Sequence, residues 1–167
     1  MGKAGNPVFE LRTAIPELDV FYGLIVGVIF LLPFSILGIF TGRLVDSVSS
    51  RKNLFGLASI LWSSTTLVQA LFPNIIVFTV MRFFLAVFES TGNPLMYSLL
   101  RDLFPPSKRV LTTSIVGSTI NLGVALSSLS LIIIDFYGWQ MSYYVTSGYG
   151  VFIGLVAFVL LREPKRG

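Results

Sequence analysis

The sequence predicts an all-α, polytopic membrane protein with five transmembrane helices, and three observations carry that prediction. Charged residues make up only 12% of the 167 residues, against 54% hydrophobic residues and a mean hydropathy of +0.83. A soluble domain carries about 25% charged residues, and half that share cannot cover a water-soluble globule of this size. The charges are also clustered, so that five long apolar runs lie between them. Each run reaches the length of about 20 residues that a helix needs to cross a ~30 Å hydrocarbon core. Within one such segment only a helix satisfies its own backbone in lipid. A soluble enzyme and a disordered chain are both excluded on these grounds.

The elements follow in order. Residues 1–20 hold five charges and no apolar run, so they read as a polar tail. They also lack the central apolar run of a signal peptide, so nothing in them argues for cleavage. Residues 21–40 contain no charge and form the first expected span, with Pro33 inside it. Residues 54–71 form the second. Residues 75–100 form the third, broken only by Arg82 and Glu89, with Asn93 and Pro94 interrupting its far half. Residues 110–134 form the fourth, with Asn121 at mid-span, and residues 141–161 the fifth. Together 21–167 read as one transmembrane bundle.

Basic residues set the expected orientation. Nine of the twelve lie in the loop after the first span (Arg43, Arg51, Lys52), the loop after the third (Arg101, Lys108, Arg109) and the C-terminal tail (Arg162, Lys165, Arg166). The positive-inside rule makes that side cytoplasmic or its equivalent, with the C-terminus on it. Topology thus accounts for the pI near 9.6, and nucleic acid is not needed as a partner; the lipid bilayer is. Trp139, Tyr137, Tyr143 and Tyr144 cluster where an aromatic belt would lie on the opposite side.

Enzymatic chemistry finds little in this sequence. With no His and no Cys, the commonest general base and the thiolate nucleophile and metal ligand are missing. No phosphate-binding glycine motif occurs, and a single intramembrane acid cannot form a carboxylate dyad. No catalytic residue, metal or cofactor is expected.

Arg82 and Glu89 are the sharpest feature. They are the only ionisable groups well inside a span, and seven residues place them two turns apart on one helix face. A charge at bilayer depth costs at least ~2.5–3.5 kcal/mol on insertion scales. Two readings fit: an anionic-solute anchor and a protonatable carboxylate lining a pathway, or a structural pair solvated by the bundle or by headgroups. Asn121 likewise reads either as a solute contact or as a bond between helices. The loop from Gly42 to Lys52 reads as a topogenic loop or as a gate, with Gly42 allowing close backbone approach and Asp46 suited to a helix N-terminus. Small-residue spacings at Gly23/Gly27, Gly38/Gly42, Gly123/Ser127 and Gly150/Gly154 suit helix packing.

That loop resembles the signature between the second and third helices of the major facilitator superfamily: Gly42, Leu44, Asp46, Arg51 and Lys52 match, while Ser47, Ser49 and Ser50 depart. Arg82 matches the arginine of that family's fourth-helix motif. The pair Arg82 and Glu89, the stretch Asp102-Leu103-Phe104-Pro105 with Lys108-Arg109, and the end Leu161 to Gly167 are similar to the spinster-like lipid transporters. Ile120-Asn121-Leu122-Gly123 replaces a proline of that subgroup with an amide. The resemblance covers residues 21–167. It implies the second to sixth helices of one half-bundle, without the first helix and its acidic proton site and without the second six-helix half. It further implies transport of a small, amphipathic or lipid-like solute, coupled to protons, in which Arg82, Glu89 and Asn121 border the pathway. Gly42, Asp46, Arg51 and Lys52 would form the conformational gate. Family carriers rock two halves about a central site, so a second half-transporter or another membrane subunit is the expected partner. The alternative is a non-transporting accessory subunit of a membrane complex, and a third option is a fragment of a longer product.

Overall fold

The computed structural model describes Asn6 and residues 9–161. Arg162, Lys165 and Arg166, three of the basic residues behind the expected orientation, lie outside the described residues. A short helix, α1 (Leu11–Ala14), precedes α2 (Leu18–Gly23), which continues through a π-helical turn (Leu24–Ile29) into α3 (Phe30–Ser47). After it come α4 (Arg51–Leu71), α5 (Ile75–Glu89), α6 (Gly92–Leu103), α7 (Pro106–Ser127), α8 (Ser130–Tyr137) and α9 (Trp139–Leu160). Taken end to end, these make five helices long and apolar enough to cross a membrane: Leu18–Ser47, Arg51–Leu71, Ile75–Leu103, Pro106–Tyr137 and Trp139–Leu160. The chain is a multi-pass integral membrane protein.

The helices run past the apolar runs because polar residues at their ends still favour helix. The first span begins at Leu18, within the segment read as tail, and Asp19 sits in its first turn where the helix dipole favours an acid. The rest of that segment is not wholly solvated. Ile15 and Leu18 are fully buried with Ile25 and Phe78, and Tyr143 packs against the cluster. The loops shrink in step, to Phe104–Pro105 and to Gly138 alone.

Prolines explain two of the three irregularities. Pro33 has no N–H to give Ile29, and its ring crowds that carbonyl. The backbone widens to π geometry over Leu24–Ile29 on the N-terminal side of Pro33. Pro94 acts the same way on Ser90, so the third span breaks at Ser90–Thr91 and not at Asn93–Pro94. The Ser90 carbonyl, relieved of its helical donor, accepts the Thr41 hydroxyl at 3.1 Å. The third break, at Ser128–Leu129, has no proline; Ser128 and Leu129 turn to i→i−3 bonds there.

Gly138 joins α8 to α9 with φ 93° and ψ 165°, a region that only glycine occupies readily. Gly138→Ala is expected to cost roughly 1–3 kcal/mol, read as a lowered unfolding midpoint in detergent. An unchanged midpoint would show that the turn can relax.

Packing centres on α4 and α9. An added Cβ at Gly154 would lie 2.9 Å from the Gly56 carbonyl, and one at Gly150 2.0 Å from Ser63 Oγ. Gly150/Gly154 is therefore a true packing pair. At Gly23, Gly27, Gly38, Gly42 and Gly123 an added Cβ meets nothing within 4 Å, so the other three spacings, and the close approach expected at Gly42, are not used among the described residues. The aromatic belt is also corrected. Trp139 is buried, its ring T-stacked on Tyr143 at 5.6 Å, while Tyr137 stays exposed. Tyr143 in turn lies 6.5 Å from the Phe78 ring, against the buried cluster. In contrast, α7 carries no buried residue.

Candidate functional site

Asn74 caps α5 by accepting the Ile76 N–H at 2.8 Å, and two turns along stands Arg82. Its guanidinium lies 5.2 Å from the centre of the Phe78 ring and donates to Tyr143 Oη at 3.3 Å. It borders a cavity of about 290 Å³ with Gln69 of α4, Ser142 and Tyr143 of α9, and Ser127 and Ser130 flanking the Ser128 break. Arg82 Nε and Gln69 Oε1 are buried without a partner among the described residues. A shielded cation with an unused N–H, ringed by hydroxyls and an amide, suits an anionic group.

Glu89 closes α5, where the helix breaks. It lines a second cavity, of about 330 Å³, with Phe34, Phe55, Trp62, Gly92, Asn93 and Met96. Sequence spacing puts Arg82 and Glu89 about 10.5 Å apart along the axis, and the structure gives them different surroundings: polar for the cation, aromatic for the acid. Between them lies a third cavity, of about 220 Å³, walled by α4 and α9. Asn121 is exposed on α7 and belongs to the lining of none of the three.

The expected gate residues gather at the other end of the bundle. Arg51, at the start of α4, is buried and pairs with Asp102 at the end of α6. Arg101 reaches both Asp102 (3.8 Å) and Asp46 (4.0 Å), and Arg109 donates to the Arg101 carbonyl at 2.9 Å. Asp46 thus faces a cation of this chain from the last turn of its own helix. Lys52 is half-buried beside Arg51. Gly42 lies a turn before Asp46, in open space.

Reasoning from residue type overlooked Gln69, Tyr143, Trp62 and Asp102. Gln69 carried a signal, an amide in an apolar run, but Asn121 carries the same signal and points elsewhere. Tyr143 is a tyrosine near a span end, indistinguishable in sequence from a belt residue. Among the described residues no group of three acidic, His or Cys side chains could hold a metal ion.

The Major Facilitator Superfamily model matches residues 12–167. Over 128 residues the chain is 27% identical to the multidrug resistance protein MdtL of Klebsiella pneumoniae, covering 76% of this chain and 32% of that protein. Over 169 residues it is 26% identical to human protein spinster homolog 1, covering 95% and 32%. The chain therefore spans about a third of the length of these relatives. Among solved structures, a bacterial homolog to the human lysosomal transporter spinster, inward-facing and unoccupied, superposes with a TM-score of 0.73 at 22% identity. That likeness covers 99% of this chain and 41% of the other and speaks for the fold. With five membrane helices in this arrangement and a family match over nearly its whole length, the chain belongs to the Major Facilitator Superfamily.

Proposed function

We propose that this chain forms part of a carrier that moves a small amphipathic solute bearing an anionic group across a membrane, coupled to protons. The observation that carries the reading is Arg82, whose Nε is shielded and unpartnered in a cavity that also holds Gln69 and the α9 hydroxyls. A lone guanidinium at that depth is costly, and an anion bound there offsets the cost. Glu89 is the carboxyl that takes and releases the coupled proton, while Asn121, outside the Arg82 cavity, stands on the exposed α7 and would join the pathway only where a partner half covers that helix. Asp46, Arg51, Lys52 and Gly42 belong to the gate. The basic end, and with it the C-terminus, faces the cytoplasm or its equivalent. The α7 helix, without a buried residue, docks on a further membrane subunit or a second half-transporter. The same exposed helix favours the second reading, an accessory subunit that transports nothing.

Uptake by cells expressing the chain separates the two. A panel of amphipathic anions is measured under an imposed proton gradient. Arg82→Ala and Glu89→Gln are each expected to abolish uptake with membrane insertion unchanged. Wild-type uptake by both variants would overturn the site assignment, and no uptake by the wild type with any known half-carrier would favour the accessory reading.

A further inference from the structure

Deepening the carrier reading, on which the naming of its two ends rests, we propose that a hydrated passage between α4 and α9 joins the Arg82 cavity to the Glu89 cavity, with Trp62 as its partition. The three cavities share walls. Thr66 and Thr146 border both the Arg82 cavity and the middle one, and Phe55 and Trp62 border both the middle one and that of Glu89. The middle cavity, about 220 Å³, exceeds the ~30 Å³ share of a single water several-fold.

A line of hydroxyls runs through a wall that also holds Phe55, Trp62, Tyr149 and Ile153. Ser59, Ser63 and Thr66 recur at i, i+4 and i+7 on α4, so they form one stripe. Ser63 Oγ donates to the Ser59 carbonyl at 2.7 Å, Thr66 Oγ1 to the Trp62 carbonyl at 3.2 Å, and Thr146 Oγ1 to the Ser142 carbonyl at 2.8 Å. With their protons committed to their own helices, these hydroxyls offer lone pairs only. These three hydroxyls accept hydrogen bonds from water, while Ser59 Oγ, Tyr149 Oη and the Trp62 indole N–H of the same wall can also donate to it.

Ser59 Oγ, Gln69 Oε1 and Arg82 Nε lie along this route, each buried and without a partner among the described residues. Leaving such a group unsatisfied costs about 1–3 kcal/mol, so buried polar atoms of this kind commonly meet water. Trp62 crosses the route. A Cβ at Gly92 would lie 3.6 Å from Trp62 Cζ3 and one at Gly150 3.7 Å from Trp62 Nε1, so the indole spans from the Glu89 side to α9.

The absence of native cysteine makes single-cysteine labelling a clean test. Ser59→Cys and Thr66→Cys, both near-isosteric, are placed in lipid nanodiscs. They are reacted with 2-aminoethyl and 2-sulfonatoethyl methanethiosulfonate, and rates are normalised to free thiol. The lipid-facing control is Leu67→Cys. Ser59→Cys is expected to react at least tenfold faster than the control with the ammonium reagent. Trp62→Ala is expected to speed that reaction further. Rates at Ser59→Cys and Thr66→Cys no greater than at Leu67→Cys, with either reagent, would overturn the passage. Labelling involves no transport: failed uptake predictions with rapid labelling would sink the carrier reading and leave the passage, and the converse result would do the opposite.

Discussion

Asp102→Ala is expected to destabilise the protein by about 3–5 kcal/mol, the largest loss from any single charge removed at the basic end. Its partner Arg51 is buried, with 6% of its side chain exposed against 12% for Asp102. Removing one member of such a pair leaves the other charge without compensation in a medium that solvates it poorly, and that penalty exceeds the attraction lost. Arg101, 3.8 Å from Asp102, adds repulsion once the acid is gone. Asp46→Ala is the instructive contrast. Asp46 and Arg101 are 4.0 Å apart with side chains 68% and 57% exposed, so this change should cost under about 1 kcal/mol. Unfolding in mixed micelles, followed by helicity, measures both. Replacing the pair together, Arg51→Met with Asp102→Leu, should recover most of the loss, since apolar substitutes of similar volume need no solvation. Wild-type stability for Asp102→Ala would show that the pair stays hydrated. The comparison bears on the gate: Arg51 is a buried anchor of the Gly42–Lys52 segment to the rest of the bundle, through an acid 51 positions away.

Gly154→Val is the second large effect. A side chain there meets Ile60 Cγ1 at 2.8 Å, the Gly56 carbonyl at 2.9 Å and Ser59 Cβ at 3.2 Å. The Ile60 methylene can rotate away, but a backbone carbonyl cannot, so α4 and α9 must separate. Overpacking of this kind costs roughly 1–3 kcal/mol, and valine, with two further methyl groups beyond the Cβ, belongs at the upper end. The helix pair affected walls the middle cavity, so Ser59→Cys labelling should change in the same variant. Gly23→Val provides the control, because a Cβ at Gly23 meets nothing within 4 Å. Equal unfolding midpoints for the two variants would mean that α4 and α9 are less closely held than their geometry indicates.

The five helices were legible in the sequence because bilayer thickness sets a minimum apolar length and every run meets it. Arg82 and Glu89 were legible because a charge in an apolar run stands out, and the family's loop was legible in Gly42, Leu44, Asp46, Arg51 and Lys52. Pro33 and Pro94 marked two breaks, although each acts one turn earlier than it stands, at the carbonyl it crowds. Their consequence, the Thr41 bond to the Ser90 carbonyl, joins residues 49 positions apart and has no local signature.

What the sequence by itself determined is the number of spans, the residues unsuited to lipid and the family. These follow from hydrophobic length and local composition, which act within a single helix. Only the tertiary structure decided that Arg82 meets Tyr143 while Glu89 shares a cavity with Trp62, that Asp102 holds Arg51, and that Gly154 packs on Gly56 while a Cβ at Gly42 would meet nothing among the described residues. Each of these depends on how one helix is rotated and set against another, and inside a membrane that is governed by close packing and scattered polar contacts, neither of which leaves a periodic mark along one chain.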